Sequence, residues 1–139
     1  VNSEKKLVEN IISHLKGKGY FVATEVPFLS RSIDIVYQTK KKEIVAIEAK
    51  MDHCKKALNQ AKYCMLGASR VYVCLPERKI TEKIKKRYLE MGVGLIHADK
   101  PSNGKRYLRF EIGALRNRQL IKDYREILFV AFKKRAKRY

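Results

Sequence analysis

Apolar residues along this 139-residue chain switch between two periods. Leu7, Val8, Ile11, Ile12 and Leu15 recur at three- and four-residue intervals, the stripe of an amphipathic helix. Asn2 or Ser3 can cap that helix, and Gly17 and Gly19 end it near Lys16. Residues 20–26 alternate with the two-residue period of a strand, Pro27 weakens its end, and 28–32 reads as a loop. Residues 33–37 and 44–49 are Ile- and Val-rich runs on either side of a short lysine-rich turn, the pattern of a hairpin. A second helix is expected from about Lys55 to Leu66, with Ala57, Leu58, Ala61, Met65 and Leu66 inward. Residues 69–75 form a compact apolar strand that Pro76 stops. Thr81 caps a third helix through about Met91, with Ile80, Ile84, Tyr88 and Leu89 inward and Lys83, Lys85, Lys86 and Arg87 outward. Gly92 terminates it, and 93–98 is a short buried strand. Residues 101–104 make a turn and 106–112 an added edge strand. From Leu115 to Tyr139 the chain looks helical, with apolar faces from Leu120, Ile121, Tyr124, Ile127, Leu128, Val130, Ala131 and Phe132.

The order helix, three strands, helix, strand, helix, strand predicts an α/β fold. A central mixed β-sheet flanked by helices would occupy residues 1–100. Residues 101–139 would form a basic helical C-terminal extension, packed on the core or at a dimer interface, within a single domain overall.

Charge narrows the partners. Lys and Arg number 32 against 14 Asp and Glu, a net +18. That excess favours a polyanion, nucleic acid before an anionic membrane, since no apolar run spans a bilayer. Arg31, the Lys40, Lys41 and Lys42 turn, Lys55 and Lys56, and the terminal Lys133, Lys134 and Arg135 are candidate phosphate contacts; solvated charge is the plainer alternative for Lys55 and Lys56, and disorder without a role for the tail. Cys54, Cys64 and Cys74 lack zinc or disulfide spacing and read as intracellular thiols. The N-terminal stretch is charged and has no apolar h-region, so a cytoplasmic protein is expected, nucleoid-associated in a prokaryote.

The hairpin carries the chemistry. With the loop centred on Lys41, Asp34 falls opposite Glu48, at a Cβ separation of roughly 5 Å. Glu48 and Lys50 are two apart and share a strand face. A salt bridge at a sheet rim is the bland explanation. One lysine facing two carboxylates, however, leaves a local negative excess that suits a divalent cation. A metal there would lower the pKa of bound water and polarise a phosphoryl group, with Lys50 orienting water or stabilising charge.

Asp34, followed by Glu48-Ala49-Lys50 on the next strand, resembles the PD-(D/E)xK nuclease superfamily, although Ile33 rather than Pro precedes Asp34. The resemblance covers about residues 4–98. It implies a restriction-endonuclease-like core, with Mg²⁺ (Mn²⁺ substituting) held by Asp34, Glu48 and the Ala49 carbonyl, and a catalytic Lys50. The segment Val8-Glu9 through the glycines to Tyr20 resembles the first helix and exit of archaeal Holliday-junction resolvases, which implies Glu9, with Glu4 behind it, as a third acidic group. Gln60 and Tyr63 resemble a Gln…Tyr pair of RecB-like nucleases, at a spacing of three rather than four. Gln60 is therefore a supporting candidate. Glu25 is another, since its strand lies beside the one carrying Asp34, with ion pairing to a base such as Arg31 as its plainer role. His53, just beyond Lys50, is a weaker one.

The expected function is a metal-dependent endonuclease acting on DNA, branched or duplex, with structure specificity and a homodimeric state implied by the resemblance alone. RNA remains an alternative substrate. The rival, from another class, is a non-catalytic nucleic-acid-binding protein on a nuclease-like fold.

Overall fold

The structure, a computed structural model, describes residues 4–52, 54–99, 107–117 and 121–138. The expected caps Asn2 and Ser3, the turn at 101–104, His53 and Leu120 lie outside these residues.

Helix α1, Glu4–Lys16, buries Leu7, Ile11 and Leu15, the predicted stripe. Strands β1 (Phe21–Phe28), β2 (Arg31–Gln38) and β3 (Ile44–Ala49) follow as an antiparallel meander. Helix α2, Cys54–Cys64, leads to β4, Arg70–Pro76, which runs parallel to β3. Helix α3, Glu82–Met91, leads to β5, Gly94–Asp99, parallel to β4. Strand β6, Tyr107–Ile112, adds antiparallel to β5. Helix α4, Lys122–Arg135, ends in a two-residue strand β7, Lys137–Arg138, paired with β1. The result is one seven-stranded mixed sheet in the order β6-β5-β4-β3-β2-β1-β7. The α/β class and flanking helices match the sequence expectation.

Two apolar clusters lie on opposite faces of the sheet. One joins Ile33, Val36, Ala46, Val71, Val73 and Leu95 to Ala57, Leu58 and Ala61 of α2, Tyr88 of α3, and Leu128 and Phe132 of α4. The other joins Ile35, Val45, Ile47, Cys74 and Ile96 to Leu7, Ile11 and Leu15 of α1. Successive strand residues face opposite sides, so β3 must be apolar on both, and all six of its residues are buried. Glu48 is the one charged residue among them.

Four local expectations need correction. β1 runs through Pro27 to Phe28 and leaves only Leu29 and Ser30 as the turn. Pro27 is tolerated because β7 pairs only Phe21 and Val22, so no neighbour on that side needs its missing N–H. The C-terminal helix begins at Lys122, not Leu115; residues 114–117 instead bind along the core, where the Asn117 amide donates to the Ser69 carbonyl. On α4 only Leu128 and Phe132 are fully buried, and Ile121, Ile127, Phe129 and Val130 stay exposed. Leu89 of α3 is also exposed, since Ile84 and Tyr88, one turn apart, already define the inward face. Thr81 and Gly92 cap α3 as expected, Thr81 accepting from the Ile84 amide and Gly92 in the left-handed region at φ 73°.

Candidate active site

The hairpin sets the register of the site. The Thr39 carbonyl accepts the Lys42 amide, and Lys42 takes a left-handed φ of 69°. Gln38 then pairs Ile44, and Ile35 pairs Ile47, a register centred on residue 41. One step further brings Asp34 to Glu48, but the regular pairing stops at Ile35 and Ile47. There the Asp34 carboxylate itself accepts the Ala49 amide at 2.9 Å. Beyond it, the Lys50 amide donates to the Cys74 carbonyl at 3.0 Å, which carries the β3–β4 pairing past the strand end.

Glu48 is only 4% exposed. Burial, then the charge and hydrogen bonding of Asp34 beside it, push its carboxyl up to about 8; Cys64 and Lys50 act in the opposite sense. The Cys64 thiol donates to Glu48 Oε1 at 3.6 Å. Its own pKa is raised, first by burial and then by the Glu48 charge.

Glu48 forms part of the wall of a cavity of about 350 Å³ between β2, β3 and α2. Arg31, Ser32, Ile33, Lys56, Gln60, Tyr63 and Cys64 complete the lining. The Arg31 guanidinium lies over the Tyr63 ring, 4.7 Å from its centroid. That ring is held from the other sides by the Phe28 edge, at 5.9 Å between centroids, and by the Ser30 amide, which donates to the Tyr63 hydroxyl at 3.3 Å. Gln60 Oε1 is buried and has no hydrogen-bond partner among the described residues. The cavity therefore offers one acidic group, Glu48, at its wall, cations on Arg31 and Lys56, and an unused acceptor.

The expected site residues divide accordingly. Asp34, Glu48, Ala49 and Lys50 come together, and Arg31, Lys56 and Gln60 reach the same cavity. Glu25 lies across from Asp34 by the β1–β2 register, which pairs Thr24 with Ile35 and Val26 with Ile33. Its φ is 49°, its exposed side chain accepts from Ser32 Oγ at 3.4 Å, and it is not among the residues that line the Glu48 cavity. Glu9 is exposed on α1, the helix packed on the opposite face from Cys64, and is not brought to the pair. Glu4, in the first turn of α1, is exposed as well. Lys40, Lys41 and Lys42 lie at the other end of the hairpin, roughly 20 Å from Glu48 at strand rise. Lys55 lines a neighbouring cleft between α2 and α3. Lys133, Lys134 and Arg135 are exposed on the last turn of α4, the latter two beside Pro27.

The sequence reading missed Cys64 as a neighbour of the carboxylates. Its signal was present, since Gln60 and Cys64 are four apart and share one face of α2. Among the described residues, no three His, Cys, Asp or Glu side chains gather in an arrangement able to hold a metal by themselves. A six-coordinate cation such as Mg²⁺, which keeps several of its waters, needs fewer protein ligands, and two carboxylates held side by side are what a cation relieves. On that ground Asp34 and Glu48 fit one, with water in the remaining positions.

No family model matches the chain, and no curated protein does. Solved structures do. A protein of unknown function from Silicibacter pomeroyi superposes with a TM-score of 0.69 at 19% identity, over 96% of this chain and 86% of that one. A repair endonuclease from Pyrococcus abyssi superposes with a TM-score of 0.55 at 18% identity. That match covers 73% of this chain and 49% of the endonuclease, so the chain corresponds to about half of it. At these identities the likeness is one of fold: this chain shares its α/β architecture with a protein of unknown function and with part of a repair endonuclease.

Proposed function

We propose that the chain is a Mg²⁺-dependent endonuclease of the PD-(D/E)xK type that hydrolyses DNA phosphodiester bonds, with DNA structure rather than sequence choosing the cut. The observation that carries this reading is the placement of Glu48. It is a buried carboxylate set against Asp34 on a cavity rimmed by Arg31 and Lys56. A purely structural role would have favoured an apolar residue at a position enclosed on both faces.

Asp34, Glu48 and the Ala49 carbonyl would hold the metal, and Mn²⁺ would substitute. When bound, the ion supplies an acidified water and charge neutralisation on the phosphoryl oxygens. The protein groups do the rest. The Ala49 amide fixes one oxygen of Asp34. Arg31, held flat on Tyr63, and Lys56 meet phosphate at the open side of the cavity. Lys50, close enough to Glu48 to favour its ionised form, assists charge development. Gln60 Oε1 accepts from a water or a substrate donor. The net +18 binds the backbone through counterion release, which gives strong salt dependence and little sequence preference. The fold shared with a repair endonuclease is consistent with branched or damaged DNA as substrate.

A second reading has one observation in its favour. No third acidic side chain joins the pair among the described residues, as a non-catalytic binder on this fold would allow. A substrate panel decides between them. Linear duplex, flap, four-way junction, single-stranded DNA and RNA are incubated with Mg²⁺, Mn²⁺ or EDTA. Cutting that requires metal and ranks branched DNA first is expected. Salt-sensitive binding with no cutting of any substrate would overturn the enzyme reading.

A further inference from the structure

We infer that the cleft between α2 and α3 is a track for one strand of nucleic acid leading into the Glu48 cavity. The inference deepens the nuclease reading and rests on it for the meaning of the track, but not for the binding itself. The cleft has a volume of about 550 Å³. Its rim carries Lys55 and Lys56 from α2, and Lys83 and Arg87 from α3. Its floor is apolar, with Leu58 and Ile84. Lys56 lines this cleft and the Glu48 cavity alike, so the two adjoin at that side chain.

Charge pairing separates these cations from their neighbours. Lys79, just outside, is bound to Asp52 at 2.8 Å. Lys85, on the other side of α3, is bound to Glu82 and Glu111. Among the described residues, no carboxylate pairs with Lys55, Lys56, Lys83 or Arg87. Four unpaired cations converging on a cleft repel one another, and a polyanion relieves that repulsion. Size selects the form of the polyanion. A cleft of about 550 Å³ between two helices has room for a short stretch of one strand, whereas a duplex would meet only its rim. Single-strand sites combine these same parts, a basic groove for phosphates and an apolar surface for bases.

The test uses the full chain, a fluorescein-labelled oligothymidylate and a labelled duplex of equal length. Anisotropy is measured in EDTA across a salt series, so binding is read whether or not the chain cuts. Lys83→Gln/Arg87→Gln removes two rim charges. Lys5→Gln/Lys18→Gln removes two exposed charges from α1 and the turn after it, and serves as the control for net charge. The groove variant is expected to bind the single strand more weakly than the control does. Its slope of log affinity against log salt should fall by about 1.4, about 0.7 for each lost phosphate contact. On the duplex the two variants should match. Equal single-strand binding by both variants would overturn the inference, as would an equal loss on strand and duplex. Displacement of the oligonucleotide by poly-glutamate at lower charge concentration than by unlabelled oligothymidylate would also overturn it, in favour of an acidic peptide. Failure of the chain to cut DNA would remove the nuclease reading and leave this result standing.

Discussion

The carboxylate of Asp34 accepts the backbone amide of Ala49 at 2.9 Å, where the ladder between β2 and β3 ends. Ala49 is buried, so its N–H needs a partner within the protein. A side chain fills the role that a strand carbonyl fills elsewhere in the sheet. The same bond holds Asp34 against Glu48, which ties the site to the fold.

Removing that acceptor should therefore cost stability as well as activity. Asp34→Ala leaves the Ala49 amide unsatisfied, a loss of roughly 1–3 kcal/mol. Asp34→Asn keeps a carbonyl oxygen for the amide and should remain within about 1 kcal/mol of the parent while losing cleavage. Urea denaturation of both variants measures this. An alanine variant as stable as the parent would show that the amide finds another partner.

Glu48 should make stability depend on pH. Its folded-state carboxyl is raised from the ordinary 4.5 to about 8, so the folded state holds the proton more tightly than the unfolded chain. The stabilisation from that proton is complete below about 4.5 and is lost as pH rises through 8. In EDTA, the unfolding free energy of the parent should fall relative to that of Glu48→Gln between pH 5 and pH 8.5, by roughly 1–3 kcal/mol, the scale of an uncompensated buried polar group, as urea denaturation reads it. Mg²⁺ should raise the parent's melting temperature at the alkaline end and leave that of the glutamine variant unchanged. Parallel curves for parent and variant would mean that Glu48 is ionised and compensated without a metal.

The C-terminal helix should behave as core. Phe132 is fully buried in the cluster shared by α2 and the sheet. Phe132→Ala should cost about 3–5 kcal/mol in denaturant unfolding. A change below about 1 kcal/mol would mean that α4 is detachable.

Much of this arrangement was legible in the residues. The hairpin register followed from loop length and alternation, and it put Asp34 at Glu48 because a two-residue period admits no intermediate choice. α3 was legible because Thr81 and Gly92 cap it by local chemistry. The rest depended on tertiary neighbours. Pro27 lies inside a strand because that stretch of β1 lacks a partner on one side, a fact about β7 and not about Pro27. β7 itself is two residues long and has no pattern to read. Apolar residues at 115 and 121 suggested a longer helix, but Leu115 and Ile121 are exposed, and Ala114 and Asn117 dock as extended chain. Glu25 was weighed as a site residue because its strand lies beside that of Asp34, and its left-handed backbone, invisible in sequence, breaks the alternation there. Glu9 failed to reach the pair because helical periodicity fixes a stripe but not the sheet face on which it lands.

The most direct measurement is single-turnover cleavage of a labelled flap and four-way junction by the parent and by Glu48→Gln in Mg²⁺, with binding to the same DNA measured in EDTA. Cleavage by the parent, its loss by at least a factor of about 10³ in the variant (the scale of one transition-state contact and more), and unchanged binding are the expected result. Equal cleavage by parent and variant would contradict the assignment of Glu48 as the centre of the site.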